Sequence, residues 1–117
     1  TKEQMLAGAK LLKDAGVPFT AYFMTGFPGE TDKDLKETIE FAKQIEADYY
    51  SLSVLAPYYG TEIYNSLIED GHQLEKKPWE YFFHQSPELM VNENISEKML
   101  QEYLSLNDLN ENKKVYV

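Results

Sequence analysis

Residues 19–31 read Phe-Thr-Ala-Tyr-Phe-Met-Thr-Gly-Phe-Pro-Gly-Glu-Thr, and this stretch decides the fold. Phe19 to Met24 are nearly all apolar, as in a strand that is covered on both faces within a parallel sheet. The Gly and Pro residues that follow predict a loop. Thr31 can cap a helix because its hydroxyl can accept a backbone N–H, and acidic residues in the next turn favour the positive end of a helix dipole. The stretch therefore predicts a strand, a tight loop and a helix.

The sequence on both sides of this stretch completes a βαβ unit. The predicted elements, in chain order, are helix 1–15, strand 19–24, helix 32–46, strand 49–56, helix 62–70 and a last helix that starts at Ser96. Thr1 and Gln4 form a capping-box pattern, and Gly16 suits the end of the first helix. Two strands that a helix connects run parallel, with a crossover that is almost always right-handed. Both strand-to-helix loops should then lie at the same edge of the sheet, where α/β proteins place their chemistry.

The pattern of regular elements is lost between His72 and Ile95. This stretch contains Trp79, Tyr81, Phe82 and Phe83. It is too apolar for a free linker, and an aromatic run of this kind is more often core than a stacking surface. We therefore divide the chain into residues 1–71, which hold the βαβ unit, and residues 72–117, an aromatic-rich segment with a C-terminal helix that packs on it.

Composition bounds the possible functions. The 117 residues, 43% of them hydrophobic, suffice for one small folded domain. Without cysteine, no disulfide can form and no thiolate can bind iron or zinc. The net charge is −9 and there is no Arg, whereas neutralising phosphates requires clustered Lys and Arg, so nucleic acid is not an expected partner.

Targeting signals are also missing from the sequence. No apolar stretch approaches the length of a membrane span and no signal peptide opens the chain, so we expect a cytoplasmic protein without a membrane span. The chain starts at Thr1 inside a predicted helix, which suggests a piece of a longer protein.

The glycine-rich loop Gly26–Thr31 is the first candidate for chemistry. Gly26 would let a ligand approach the backbone closely because glycine has no Cβ, and Gly29 can take a positive φ. The same residues also suit a plain turn from a strand into a capped helix, and both interpretations stay open at this point. The loop is neither a Walker motif nor a dinucleotide fingerprint, because both glycine patterns are absent.

The second strand offers two small hydroxyl side chains. Ser51 and Ser53 share one face of the strand because successive side chains alternate. They either line an open cavity where a ligand binds or are satisfied polar residues beneath a helix. His72 and His84 have no second ligand at metal spacing, so no metal site is assigned, and no isolated pair of carboxylates indicates acid–base catalysis.

The two loops together resemble the last two strands of the radical S-adenosylmethionine (SAM) domain. The matching pieces are Gly26–Thr31 with the strand before it, Thr38–Ala42 and Pro57–Tyr64. In the family they read roughly as Gly-aromatic/Leu-Pro-Gly-Glu-Thr and Pro-x-Pro-Gly-Thr-x-hydrophobic-Tyr. Gly26 and Gly60 are 34 positions apart here, a spacing like that of the family. The resemblance covers residues 16–64, about half of the chain.

This resemblance implies an α/β fold, a βαβ fragment of a partial TIM-like (β/α)6 barrel. Residues 1–71 would supply strands five and six with flanking helices, and residues 72–117 a helical extension. In the family, a three-cysteine loop binds a [4Fe–4S] cluster, and that loop would lie upstream of this chain. Reductive cleavage of SAM gives a 5′-deoxyadenosyl radical that abstracts hydrogen from a small-molecule substrate. The parent protein would be an iron–sulfur oxidoreductase, and this chain would be inactive alone and hold no catalytic side chain.

The resemblance also assigns a cofactor site by position. Its residues are Tyr22, Met24, Gly26, Ser53, Val54 and Leu55. Met24 would resemble the apolar residue against the adenine ring, and the backbone of the last three residues would meet the adenine edge. Tyr22 stands where many members carry a polar residue that contacts the ribose. Tyr59 replaces the more usual proline of the second loop, which puts the shape of that loop in question.

A narrower resemblance concerns the end of the chain. The Trp79–Tyr81 segment and the last helix are loosely similar to the tails of cobalamin-associated members. These include the anaerobic magnesium-protoporphyrin IX monomethyl ester cyclase type. The parent would then use cobalamin as a further cofactor.

Three interpretations are carried forward, in this order. The first is a radical SAM enzyme fragment, and the second is a non-catalytic binding or regulatory module derived from a half-barrel. The third is a piece of an ordinary (β/α)8 enzyme that binds an anion at Gly26–Thr31, although Glu30 and Asp32 would repel it. A two-stranded piece leaves sheet surface uncovered, so we expect contact with the rest of the parent chain, self-association or cover by residues 72–117.

Overall fold

The computed structural model describes residues 1–83 and 86–110. Its helices and strands are α1 Lys2–Asp14, β1 Thr20–Thr25, α2 Asp32–Ile45, β2 Tyr49–Val54, α3 Glu62–Glu69 and α4 Glu97–Leu104. Short 3-10 turns cover Leu74–Lys76, Trp79–Tyr81, Pro87–Leu89 and Ser105–Asn110. These bounds confirm the predicted order of elements. The second strand ends two residues earlier than expected, because the chain leaves the ladder after Leu55 donates its N–H to Thr25.

Local side chains explain where the helices begin. At the start of each helix, the hydroxyl of a capping residue accepts a backbone N–H from the first turn. The four capping residues are Thr1, Thr31, Thr61 and Ser96. In α2 the capping is reciprocal, since the Asp34 carboxylate accepts the Thr31 N–H at 2.8 Å. Each cap satisfies a donor that the helix itself leaves unpaired.

The two strands form a parallel sheet, as predicted, with Thr20 opposite Tyr49 and Thr25 opposite Val54. In this register, side chains at equivalent positions point to the same face. One face carries Ala21, Phe23, Thr25, Tyr50, Leu52 and Val54. The opposite face carries Thr20, Tyr22, Met24, Tyr49, Ser51 and Ser53.

The first of these faces forms the core with α2 and α4. Its fully buried members include Leu35, Ile39, Ala42, Val54 and Tyr103. A smaller cluster joins Tyr64 and Leu67 of α3 to Leu74, which follows α3 in the chain. Removing such side chains from water stabilises the fold by roughly 1.5–3 kcal/mol for each large one.

Residues after α3 also cover part of the outer edge of β2. The Asn110 side chain accepts the Tyr50 N–H at 2.8 Å and donates to the Tyr50 carbonyl at 2.9 Å. An amide side chain thus replaces a neighbouring strand at this point. In the described part of the chain, none of the helices is long and apolar enough to cross a membrane. The barrel assignment and the division at residue 71 stay predictions.

Candidate functional site

The carboxyl ends of both strands and the loops that follow them lie at one edge of the sheet. The first loop turns sharply at Gly26, which has φ of 94° and is buried. A Cβ at this position would lie 3.4 Å from Val54 Cγ1 and 3.5 Å from the Leu55 nitrogen. A Cβ would thus make only ordinary contacts there, and Gly26 is favoured because of its positive φ in the turn, whether or not a ligand is bound.

Glu30 fixes the shape of this loop from inside. Its carboxylate accepts the N–H of Gly26 at 2.8 Å, the N–H of Phe27 at 3.1 Å and the hydroxyl of Thr25 at 3.0 Å. Bonds to a carboxylate are stronger than bonds between neutral groups, and three of them hold one end of the loop to the other. The sequence pattern did not reveal this role.

The same contacts argue against an anion site at this loop. Such a site needs free backbone N–H groups. Here the Gly26 and Phe27 amides already bind the protein's own carboxylate, and Asp32 adds a second negative charge at the start of α2. The (β/α)8 anion-site interpretation therefore loses its basis.

The face opposite the core is open beside this edge. Tyr22 is 78% exposed and Met24 is 45% exposed, although both are large. The register places Tyr22 opposite Ser51 and Met24 opposite Ser53. Ser51 is half-buried and Ser53 is buried, so the exposed surface of this face consists mainly of the Tyr22 and Met24 side chains. Four of the residues predicted from the resemblance and from the strand pattern are thus brought together.

The backbone of β2 divides the other predicted residues. Leu55 donates its N–H to the Thr25 carbonyl at 2.8 Å, and the Ser53 N–H lies 3.2 Å from the Tyr103 hydroxyl. Because backbone direction alternates along a strand, the N–H and C=O of Val54 point to the outer edge. The Val54 side chain is fully buried in the core. Of these three residues, Val54 thus directs its backbone groups, and not its side chain, to the outer edge.

An aromatic groove lies beside the second loop. It has a volume of about 590 Å³ and is lined by Tyr58, Tyr59, Tyr64, Leu74, Glu75, Lys77, Trp79 and Phe82. Trp79 is 80% exposed and Tyr59 is 86% exposed. The expectation that the aromatic run is core is wrong for Trp79, Tyr81 and Phe83, whose side chains are exposed, whereas Phe82 packs against the smaller cluster.

Two further side chains act on the strands from a distance along the chain. The Asn92 amide donates to the Phe27 carbonyl at 2.5 Å and to the Glu30 carbonyl at 2.8 Å. The Tyr103 hydroxyl lies 3.0 Å from the Phe23 carbonyl and 2.9 Å from that of Ser53. Burial raises the pKa of the Tyr103 phenol, so it stays a neutral donor. Neither role shows a sequence signal, since both depend on contacts more than 45 positions apart.

In the part of the chain that the structure describes, the titratable groups give no sign of a metal centre. Among residues 1–83 and 86–110, His, Asp and Glu do not gather in the groups of three that could hold an ion. His72 lies in this part of the chain, and His84 lies outside the described residues.

Known protein families and curated proteins show sequence similarity to this chain. The radical SAM superfamily model matches residues 1–42, which include β1, the loop and most of α2. An uncharacterized methyltransferase of Pyrococcus horikoshii is 28% identical over 109 residues, 90% of this chain and 24% of the relative. The tRNA-2-methylthio-N(6)-dimethylallyladenosine synthase of Anoxybacillus flavithermus is 32% identical over 105 residues, 88% of this chain and 19% of the relative. The synthase of that name from Petrotoga mobilis is 29% identical over 105 residues, which are 87% of this chain and 24% of the relative. The chain thus spans about a quarter or less of these relatives' length.

Proposed function

We propose that this chain is part of a radical SAM enzyme and forms one wall of a partial (β/α)6 barrel. The observation that carries the proposal is the match of the superfamily model to residues 1–42, whose loop and open sheet face are described above. A [4Fe–4S] cluster, when bound in the parent, supplies the electron that cleaves SAM to a 5′-deoxyadenosyl radical. Its thiolate ligands belong to the rest of the parent, because this chain has no cysteine.

The open face fits the adenosine half of SAM. Adenine is flat and mostly apolar, and the exposed Met24 side chain offers it an apolar contact. The outward N–H and C=O of Val54 are suited to the polar ring edge, and the Tyr22 phenol to the ribose. In this assignment the chain binds and orients SAM, and alone it is inactive.

A second candidate concerns the reaction of the parent. Several relatives are named as synthases that place a methylthio group on a tRNA adenosine, which favours a tRNA-modifying radical SAM enzyme. The charge of −9 and the lack of Arg then require other parts of the parent to hold the tRNA backbone. A small-molecule substrate and a cytoplasmic location stay predictions.

Two further interpretations are a cobalamin-associated enzyme and a non-catalytic module. The relatives named above do not favour the cobalamin-associated cyclase type, and cobalamin in the parent rests on the loose resemblance of the chain's end alone. A non-catalytic module derived from a half-barrel would keep the same fold and would produce no deoxyadenosine.

The test uses the parent protein, purified and reconstituted without oxygen. We expect bound iron and sulfide in cluster stoichiometry, and 5′-deoxyadenosine after addition of SAM and a strong reductant. A folded parent with neither cluster nor deoxyadenosine would contradict the enzyme assignment and favour the non-catalytic module. Methylthiolated tRNA among the products would select the second candidate reaction.

A pair of variants tests the assigned wall. Met24→Ala should raise the KM for SAM about tenfold, because it removes an apolar contact worth roughly 1.5 kcal/mol. Met5→Ala is the matched control, since Met5 is 51% exposed on α1. Equal KM values for the two variants would exclude Met24 from the site.

A further inference from the structure

Residues 90–96 run alongside the loop between β1 and α2, and we name them the strap. At its start Met90 lies beside Gly26, since a Cβ placed on that glycine would be 3.6 Å from Met90 Cγ. Its last contact is polar, since the Ser96 N–H donates to the Asp32 carboxylate at 2.7 Å. The strap thus follows the loop from its first glycine to the start of α2.

Asn92 makes the central contacts of the strap. Its side chain is buried, and its NH₂ group donates to the carbonyls of Phe27 and Glu30. The Asn94 N–H donates to Asn92 Oδ1 at 2.7 Å, which fixes which end of the amide faces the loop. An asparagine supplies the two donors and one acceptor that this position requires.

The contacts of Asn92 complement those of Glu30. The Glu30 carboxylate binds the N–H groups of the loop, and Asn92 binds its carbonyls. Phe27 takes part in both sets: its N–H donates to Glu30 and its carbonyl accepts from Asn92. Both peptide groups that flank its Cα are therefore fixed by hydrogen bonds. The loop is therefore fixed before any ligand arrives, which lowers the ordering cost of binding.

We propose that Asn92 is a positioning residue that holds this loop in the shape in which SAM binds, an inference that rests on the proposed function. Asn92 does not itself line the open face, and it acts through Phe27 and Glu30. Loss of its donors should weaken SAM binding and leave the chemistry at saturating SAM intact.

The test compares Asn92→Asp with Asn94→Asp in the reconstituted parent. Both substitutions add the same charge to the same segment, but Asn94 has an exposed side chain. We expect Asn92→Asp to raise the KM for SAM about tenfold with kcat changed less than twofold, and Asn94→Asp to change neither by more than twofold. Asn92→Ala removes the donors without adding charge and should raise KM in the same way.

A second readout does not depend on activity. Hydrogen exchange of the peptide that covers residues 26–30 should be at least tenfold faster in Asn92→Asp than in Asn94→Asp. The exchange rates of peptides from the helices should be the same in both variants. An unchanged KM, a lower kcat at unchanged KM, or unchanged exchange at 26–30 would overturn the inference. If the wild-type parent forms no deoxyadenosine, the proposed function fails, and the exchange experiment alone decides whether Asn92 holds the loop.

Discussion

At the scale of single residues, two carboxylates with different tasks shape the turn into α2. Glu30 binds the N–H groups of the loop before the helix, and Asp34 closes the capping box within it. Asp34 is exposed, whereas Glu30 is partly buried against the loop. Their loss should therefore have different consequences.

Replacing Glu30 with Gln should destabilise the protein by about 2 kcal/mol, because the Gly26 and Phe27 N–H groups would then bond to a neutral amide oxygen, a weaker acceptor than a carboxylate. The free energy of unfolding in denaturant measures this change. Glu40→Gln is the matched control, since Glu40 is exposed on α2, and it should change stability by less than about 0.5 kcal/mol. Equal effects would show that the loop does not depend on the Glu30 charge.

Asp34 should make a pH-dependent contribution. Hydrogen bonds from Thr31 lower the pKa of its carboxyl below the ordinary value. A carboxyl with a lowered folded pKa adds stability above its unfolded pKa, about 3.9, and loses it as the pH falls through the folded value. The wild type should thus have a higher melting temperature than Asp34→Asn at pH 7, and the difference should shrink below about pH 4. A difference that is constant with pH would refute the assignment.

At the scale of elements, α4 is connected to the sheet through the Tyr103 hydroxyl. The hydroxyl lies over the ladder, within hydrogen-bond distance of carbonyls on both strands. A helix packed only by apolar contacts could slide along the sheet, and this polar contact fixes its position. The cost of losing it is the cost of a buried hydrogen bond.

Tyr103→Phe should therefore lower the free energy of unfolding by about 1–2 kcal/mol, because it removes the hydroxyl and keeps the ring. Tyr59→Phe provides the comparison, since Tyr59 is the more exposed tyrosine and its loss of a hydroxyl should be nearly neutral. Chemical denaturation of both variants measures the difference. Similar stabilities of the two variants would mean that the Tyr103 bond is replaced by other contacts.

Elements were predictable from sequence where their signals are local. Thr1, Thr31 and Ser96 each start the helix that they were expected to start. The parallel pairing followed from the connecting helix, and the shared face of Ser51 and Ser53 followed from alternation.

The remaining features depend on partners that are distant in sequence. Asn92 and Asn110 look like ordinary polar residues in a polar stretch, yet each binds backbone groups about 60 positions away. Trp79 was expected in the core because composition reports hydrophobicity and not the shape of the surface beneath it. The Glu30 contacts require a loop conformation that the spacing of the glycines permits but does not specify.

At the scale of the whole molecule, the C-terminal part covers apolar and polar surface of the sheet at once. Leu100, Tyr103 and Leu106 are buried in the main core, and Asn110 occupies the outer edge of β2 at Tyr50. Removing them would expose the apolar face and an unpaired strand edge together.

A variant that lacks residues 96–117 should therefore self-associate, and sedimentation velocity should show dimers or larger species. A variant that lacks residues 111–117 alone keeps α4 and Asn110 and serves as the control, with the sedimentation coefficient of the wild type. Identical sedimentation of the two truncated proteins would indicate that the sheet is covered by another part of the protein.

If the open face binds the adenosine half of SAM, as proposed, the Glu30 carboxylate also affects which adenosine compounds it accepts. Two backbone amides that could have bound a phosphate already hold a negative charge supplied by the chain. An adenosine carrying a phosphate chain would meet repulsion at this loop, whereas an adenosine whose substituent is cationic or neutral would not. In the proposed site, the loop would thus disfavour nucleotides by charge, without any contact to the base.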